Sequence, residues 1–292
     1  MIGPVILCVG GDARNIYVCQ KLYELGKVYS LGVCGCAGNA IPLESVYDMP
    51  QKADILVLPL MSSDELDIMI KDGVKVSCAQ IAVKLNKNAL VCGGKLGMQI
   101  IEFFSSLGHD VKDYFVREEL AVRNSVATAE GALAIAMSEL GVTIRGTKTL
   151  IIGYGRVARS CVTVFSALGS EVTVCARSIG QRAEAENLGC KAIGFDRLSE
   201  TVSECEIVIN TVPALVLTEP ILEKVHKDSI VIDLASKPGG TDFDAAKRLN
   251  VRAVHALALP GKVAPITSGY LIAETIENIF NERRETDVFT RH

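Results

Sequence analysis

The sequence predicts an α/β protein made of two doubly wound parallel-sheet domains. Short apolar runs alternate with helical patterns along nearly the whole chain, the signature of β-α repeats feeding an open sheet. With 292 residues there is material for two compact domains. The apolar content is 49%, yet aromatics supply only 5% and Trp is absent, so Val, Ile, Leu, Ala and Cys must fill the core, as they do around buried parallel strands.

In the first part, residues 5–9, 28–33, 55–60, 75–78, 89–92 and 110–115 read as strands. Residues 15–25 and 96–106 carry apolar side chains at helical spacing. The second part repeats the pattern, with strands expected at 149–152, 171–176, 207–211, 229–234 and 252–257. Residues 118–140 have few breakers and are rich in Ala, Leu and Glu, which predicts one long helix passing from the first domain to the second. A further helix is expected over 269–284, after Pro260, Gly261 and Pro265, returning to the first domain; residues 285–292 read as a frayed tail. The expected molecule is two-lobed, with two crossing helices and a cleft between its sheets.

Charge and cysteine usage narrow the function classes. A formal charge of -4 offers no case for binding nucleic acid or an anionic membrane. The apolar runs fall far short of the roughly 20 residues a membrane helix needs, and the first residues lead straight into a strand without a secretory signal pattern. A cytoplasmic protein is expected. The ten cysteines sit mostly inside apolar stretches, with no C-x-x-C pair and no histidine spacing to complete a zinc site, so no metal is expected. They read as small buried hydrophobes in a reducing compartment.

The clearest chemical motif is the turn Gly153, Tyr154, Gly155, Arg156, Val157, Ala158. A strand runs into it and a helix runs out. Gly153 permits the tight turn, Gly155 lets the backbone approach a pyrophosphate, and Ala158 allows close helix–strand contact. The helix N-terminus supplies N–H groups and a positive dipole end for phosphates. Residues 119–265 are therefore expected to form a Rossmann domain binding a nicotinamide dinucleotide. At the end of its next strand stand Arg177 and Ser178, with no acid before Glu184. A carboxylate there would bind a ribose 2′-hydroxyl, whereas Arg and Ser suit a 2′-phosphate, so NADP is the expected cofactor. Thr211, Val212, Pro213 and Ala235, at two further strand ends, are expected near the nicotinamide. Lys237 fits either a substrate contact or a solvated charge.

The first domain, residues 1–118 with the C-terminal helix 266–292, reads as a flavodoxin-like substrate domain. Its first turn is Gly10, Gly11, Asp12, Ala13, Arg14. The carboxylate of Asp12 is unfavourable to a pyrophosphate, while Arg14 suits a carboxylate ligand. Ser62, Ser63, Lys95, Tyr114 and Arg117 also lie at expected strand carboxyl ends, where ligands of open α/β sheets bind.

Four segments together resemble the dipicolinate synthase A-subunit family. They are GGDAR at 10–14, DYFVREELAVRNSVATAEGAL at 113–133, GYGRVAR at 153–159 and LPGKVAP at 259–265. The resemblance runs almost end to end, and the second and fourth segments are the most specific. The nucleotide half alone is also similar to alanine, shikimate and methylene-tetrahydrofolate dehydrogenases.

The resemblance implies a sporulation enzyme working with a flavoprotein-like B subunit in the mother cell of an endospore former. It would oxidise dihydrodipicolinate, derived from the lysine pathway, to pyridine-2,6-dicarboxylate with NADP as acceptor. A small dicarboxylate could then be anchored by Arg14, Ser62, Lys95 and Arg117, with Lys262 as a further cation or a shaper of the hinge. His255, Lys262 and Asp12 are the catalytic candidates, with Glu119 a further possible base, and a homo-oligomer is expected. Two other readings remain: a related dehydrogenase on another substrate, and a non-catalytic NADPH-binding subunit.

Overall fold

The computed structural model describes residues 3–33, 35, 38–61 and 64–289. Two compact units emerge, one from residues 1–123 and 264–292, the other from 124–263.

The chain opens with β1 (Val5–Val9), α1 (Ala13–Leu22), β2 (Lys27–Leu31), β3 (Ile41–Leu43) and β4 (Ala53–Leu60). After β5 (Asp67–Met69), β6 (Lys75–Ser77) and α2 (Cys78–Ala82) come β7 (Leu85–Gly94), α3 (Met98–Ser106), β8 (Asp110–Asp113) and α4 (Glu118–Glu139). The second unit continues with β9 (Lys148–Ile152), α5 (Arg156–Ala167), β10 (Glu171–Cys175), α6 (Ile179–Asn187), β11 (Lys191–Ile193) and α7 (Leu198–Thr201). It is completed by β12 (Ile207–Asn210), α8 (Glu219–Leu222), β13 (Ile230–Asp233), α9 (Phe243–Arg248), β14 (Arg252–His255) and α10 (Leu259–Val263). The last helix, α11 (Pro265–Phe289), belongs to the first unit.

Each unit holds a six-stranded parallel sheet. The orders are β3-β2-β1-β4-β7-β8 and β11-β10-β9-β12-β13-β14. In both, the order reverses beside the first strand, which opens a crevice at the carboxyl ends of the central strands. The central strands bury both faces. In β1, Ile6 and Cys8 enter one core layer while Leu7 and Val9 enter the other. In β9, Ile151 faces one layer and Leu150 and Ile152 the opposite one. α5 presents Ala158, Cys161, Val162 and Phe165 to its sheet, a stripe at helical spacing. The first unit's core is closed by Ile272, Ala273, Ile276 and Ile279 of α11.

Several expected boundaries shift for identifiable reasons. The strand expected at 75–78 is not part of the main sheet; β6 pairs antiparallel with β5 in a separate two-stranded ribbon. The strand expected to 115 stops at Asp113, because the Asp113 carboxylate accepts the Phe115 amide and turns residues 114–116 into a 3-10 helix. Pro260 and Gly261 do not break the chain but lie within α10, and residues 285–289 continue α11 rather than fraying. The edge strands β3 and β11 are three residues each, too short to show a period.

The eight described cysteines are free and buried. Burial pushes the thiols of Cys161, Cys175 and Cys205 up to about 12. Cys34 and Cys36 lie outside the described residues. Among the described residues, no cluster of side chains suits a metal ion, and no helix is long and apolar enough to cross a membrane.

Candidate functional site

In the second unit, the carboxyl ends of β9, β10, β12 and β13 surround a cavity of about 720 Å³. The glycine turn forms its floor. Gly153 sits at φ +99°, a left-handed conformation, and its N–H donates to the Cys175 carbonyl. A Cβ there would collide with the Thr211 hydroxyl. Gly155 is different: a Cβ on it would meet nothing within 4 Å, so the space before its backbone is open. It is also the N-cap of α5, which has no side-chain cap and no acid in its first turn. A backbone N–H cradle without a competing side chain suits a phosphate group.

The other cofactor candidates meet on the same cavity. Tyr154, Arg156 and Val157 line it from the turn, Arg177 and Ser178 from the end of β10, and Thr211, Val212, Pro213 and Ala235 from the ends of β12 and β13. Ser178 is the N-cap of α6, yet its side chain makes no capping hydrogen bond. Arg182 donates to the carbonyls of Ala176 and Arg177 at 2.9 and 3.1 Å, fixing the backbone that carries the Arg177 side chain. The next acid along the sequence, Glu184, is paired with Arg159 at 2.6 Å, and Arg159 in turn lies over the Tyr154 ring. Gln181, Phe195, Leu234 and Ser236 complete the lining and were not singled out from the sequence. Phe195 follows β11, a strand too short to be legible, and Leu234 and Ser236 simply flank Ala235.

Behind the rim at β12 and β13 stands a row of polar residues. Asn210, Asp233 and His255 are the last residues of three adjacent strands and are paired in register. Asp233 is fully buried; its Oδ1 accepts from Asn210 Nδ2 and the Ala235 amide, each at 3.0 Å, and its Oδ2 accepts from the Gly240 amide at 2.8 Å. His255 Nε2 lies 3.0 Å from the Ala235 carbonyl, and its ring stacks on Phe243. A carbonyl can only accept, so Nε2 carries the proton. One ring nitrogen of the catalytic candidate His255 is thus already engaged with the backbone. Lys262 is an exposed residue of α10.

In the first unit, the candidate residues divide. Asp12 caps α1 by accepting the Arg14 amide, and its carboxylate also takes the Arg14 guanidinium, Nε to Oδ1 at 2.9 Å and Nη2 to Oδ2 at 2.6 Å. Partial burial pushes the Asp12 carboxyl up, but Arg14's hydrogen bonds and charge outweigh this and hold it below its ordinary range. A carboxylate so stabilised is a weak proton acceptor, which corrects Asp12 as a catalytic base. Arg14 is 7% exposed and already meets one carboxylate in a forked pair.

Arg117 donates to Glu119 at 2.8 Å and forms a forked pair with Glu282, so three of its five N–H donors already meet carboxylates. Its guanidinium and Glu119 thus pair with each other before any substrate is present. Tyr114 is a core residue whose hydroxyl donates to the Leu58 carbonyl. Lys95 remains available at the end of β7. It adopts φ +52°, with its amide on the Asp113 carboxylate and its ammonium over the Phe115 ring at 4.9 Å. Ser62 and Ser63 lie outside the described residues. A groove of about 900 Å³ also runs along β8 and α11. Its charges close on one another through Arg117–Glu282 and Lys112–Asp110, and it lies away from the central strand ends.

Comparison with known proteins agrees with this division. Residues 5–115 match the family model for the N-terminal domain of the dipicolinate synthase A subunit. Residues 115–236 match that of the D-isomer specific 2-hydroxyacid dehydrogenase NAD binding domain. The curated dipicolinate synthase A subunit from Bacillus subtilis (strain 168) is 27% identical, with 97% of each chain covered. The crystal structure of the dipicolinate synthase A subunit from Bacillus halodurans superposes with a TM-score of 0.86 at 27% identity, covering 95% of this chain and 98% of that one. The corresponding Bacillus subtilis crystal structure gives 0.85, also at 27% identity, with 98% of each chain covered.

The fold and the glycine-turn cavity thus define an oxidoreductase-type protein with a dehydrogenase nicotinamide-dinucleotide domain. Over nearly its whole length the chain is similar to dipicolinate synthase A subunits.

Proposed function

We propose that the chain is the A subunit of an NADP-dependent enzyme that dehydrogenates dihydrodipicolinate to pyridine-2,6-dicarboxylate. The observation that carries the cofactor reading is the cavity at the glycine turn, with Arg177 and Ser178 at the β10 rim and Glu184 held by Arg159. The open space at Gly155 and the uncapped α5 N-terminus fit a pyrophosphate. Arg177 and Ser178 would hold the 2′-phosphate, while Thr211, Val212, Pro213 and Ala235 would border the nicotinamide.

When bound, NADP supplies a hydride acceptor at nicotinamide C4. The substrate loses that hydride and one ring proton, and aromatisation makes the step downhill, so orientation carries more of the catalysis than a strong base. Arg14 and Lys95 are the first unit's remaining candidates to hold the substrate carboxylates, and Lys262 is the second unit's. The same reading assigns as partner a flavoprotein-like B subunit, together with a homo-oligomeric state and the cytoplasm of a sporulating mother cell as location.

The test is turnover of freshly generated dihydrodipicolinate with NADP, followed by reduced-nicotinamide absorbance, with and without the B subunit. Reduction that depends on this substrate supports the reading. Turnover of alanine or shikimate instead would assign another dehydrogenase, and cofactor binding without any reduction would mark a non-catalytic subunit.

A further inference from the structure

The polar row of Asn210, Asp233 and His255 has a property that core packing does not require. The residues of β12 and β13 before it, Ile207, Val208, Ile209, Ile230, Val231 and Ile232, are all apolar and buried. In β12 and β13 polarity begins at the last position. A buried carboxylate such as Asp233 is costly unless hydrogen bonds replace its lost water, and here they come from Asn210 and from the loop that follows β13.

The bonds are distributed in a specific way. Asn210 holds both backbone groups of Val212: its Oδ1 accepts the Val212 amide at 3.0 Å, and its Nδ2 donates to the Val212 carbonyl at 3.1 Å. Ala235 is held at both groups too, its amide by Asp233 and its carbonyl by His255, each at 3.0 Å. Val212 and Ala235 both line the cavity, on the side of β12 and β13. Asn210 Nδ2 joins the two by its bond to Asp233. Gly240 completes the arrangement, since a Cβ there would collide with Asn210 Nδ2.

We propose that Asn210, Asp233 and His255 are positioning residues: together they hold the Val212 and Ala235 peptides as the wall that receives the nicotinamide half of the dinucleotide. The proposal rests on the dinucleotide reading above. Binding in an open α/β sheet of this strand order places the adenine half over β10 and the nicotinamide half over β12 and β13. The row therefore acts on one half only. That selectivity separates it from a general stabilising role.

The test is equilibrium binding by calorimetry to Asp233→Asn, His255→Ala and His255→Gln. The probes are NADP and NAD as whole dinucleotides, with adenosine 2′,5′-bisphosphate and ADP as their adenine halves. Asp233→Asn must turn an amide NH₂ toward one of the three donors the carboxylate now satisfies. An unmet buried donor is expected to weaken the whole dinucleotide about tenfold, with the adenine half changed by less than about twofold. His255→Ala should behave alike, and His255→Gln, which keeps an N–H donor, should recover most of the loss. Melting curves identify variants that do not fold; if Asp233→Asn is among them, the His255 pair decides.

Equal loss on whole and half probes, or unchanged dinucleotide binding by folded variants, would overturn the proposal while leaving the cofactor reading intact. Failure of the unaltered protein to bind any probe would overturn both.

Discussion

Arg117 and Glu282 meet as a forked ion pair across 165 positions of sequence, Nη1 on Oε2 at 2.8 Å and Nη2 on Oε1 at 2.6 Å. The pair ties the entry of α4 to α11, both within the first unit. Arg117's hydrogen bonds hold the Glu282 carboxyl below its ordinary range. Arg117→Met should therefore leave the KM for substrate within about twofold of the unaltered enzyme. Because the pair is largely exposed, it should lower stability by less than about 1 kcal/mol. A KM rise of tenfold or more in steady-state kinetics would return Arg117 to the substrate site.

Asp12 and Arg14 make a pH-dependent contribution of definite sign. The folded Asp12 carboxyl is depressed, so the unfolded chain binds the proton more readily and the pair's stabilisation is fully present above the ordinary carboxylate value of about 3.9. It is lost as pH falls through the depressed folded value. Asp12→Asn keeps an N-cap acceptor but removes the charge. It should cost about 1 kcal/mol at neutral pH, allowing for the carboxylate's exposure, and the gap to the unaltered protein should close in acid. Melting temperatures across a pH series would check this; a gap that stays constant with pH would contradict the depressed carboxyl.

Arg177→Ala should weaken NADP about ten- to a hundredfold and NAD by much less, since only NADP brings a phosphate for the guanidinium to pair with. Competitive titration of the two cofactors reads this directly. Equal losses would mean that Arg177 does not meet a 2′-phosphate.

Gly155→Val and Gly153→Ala should both abolish dinucleotide binding, but by different routes. At Gly155 the new side chain fills open space, so the melting temperature should stay close to that of the unaltered protein. At Gly153 the left-handed φ and the Thr211 hydroxyl stand in the way, so folding itself should suffer by about 1–3 kcal/mol. Calorimetric binding together with melting curves distinguishes the two. Retained binding by Gly155→Val would place the pyrophosphate elsewhere.

The parallel sheets were legible because their central strands are short, apolar on both faces and separated by helices of clear period. β1 is found at the residues its pattern marks, and β9, β10, β12 and β13 fall within a residue or so at each end. β3, β5 and β11 were not legible: three residues at an edge carry no period, and Pro42 and Lys191 disguise two of them. The cofactor candidates were readable because one local motif and the adjoining strand ends bring them together. Substrate candidates were not, because the sequence shows cations but not their partners. Nothing local to Arg117 announces Glu282, and nothing in VIDLASK reveals that Asp233 is fully buried and faces the Asn210 amide. Pair energies set by distant residues are invisible to spacing.

The placement of α11 sets an order on how the molecule is made. Synthesis proceeds from the amino end, and domains tend to fold as units once their residues are available. All residues of the second unit, 124–263, have been added before α11 begins, whereas the first unit lacks Ile272, Ala273, Ile276 and Ile279 until after them. The first unit is thus completed after the second, and until α11 arrives its nascent sheet presents a bare apolar layer around Val18, Cys19 and Leu22. A chain stopped after α10 would carry that layer permanently, a surface for chaperones or for aggregation rather than for catalysis.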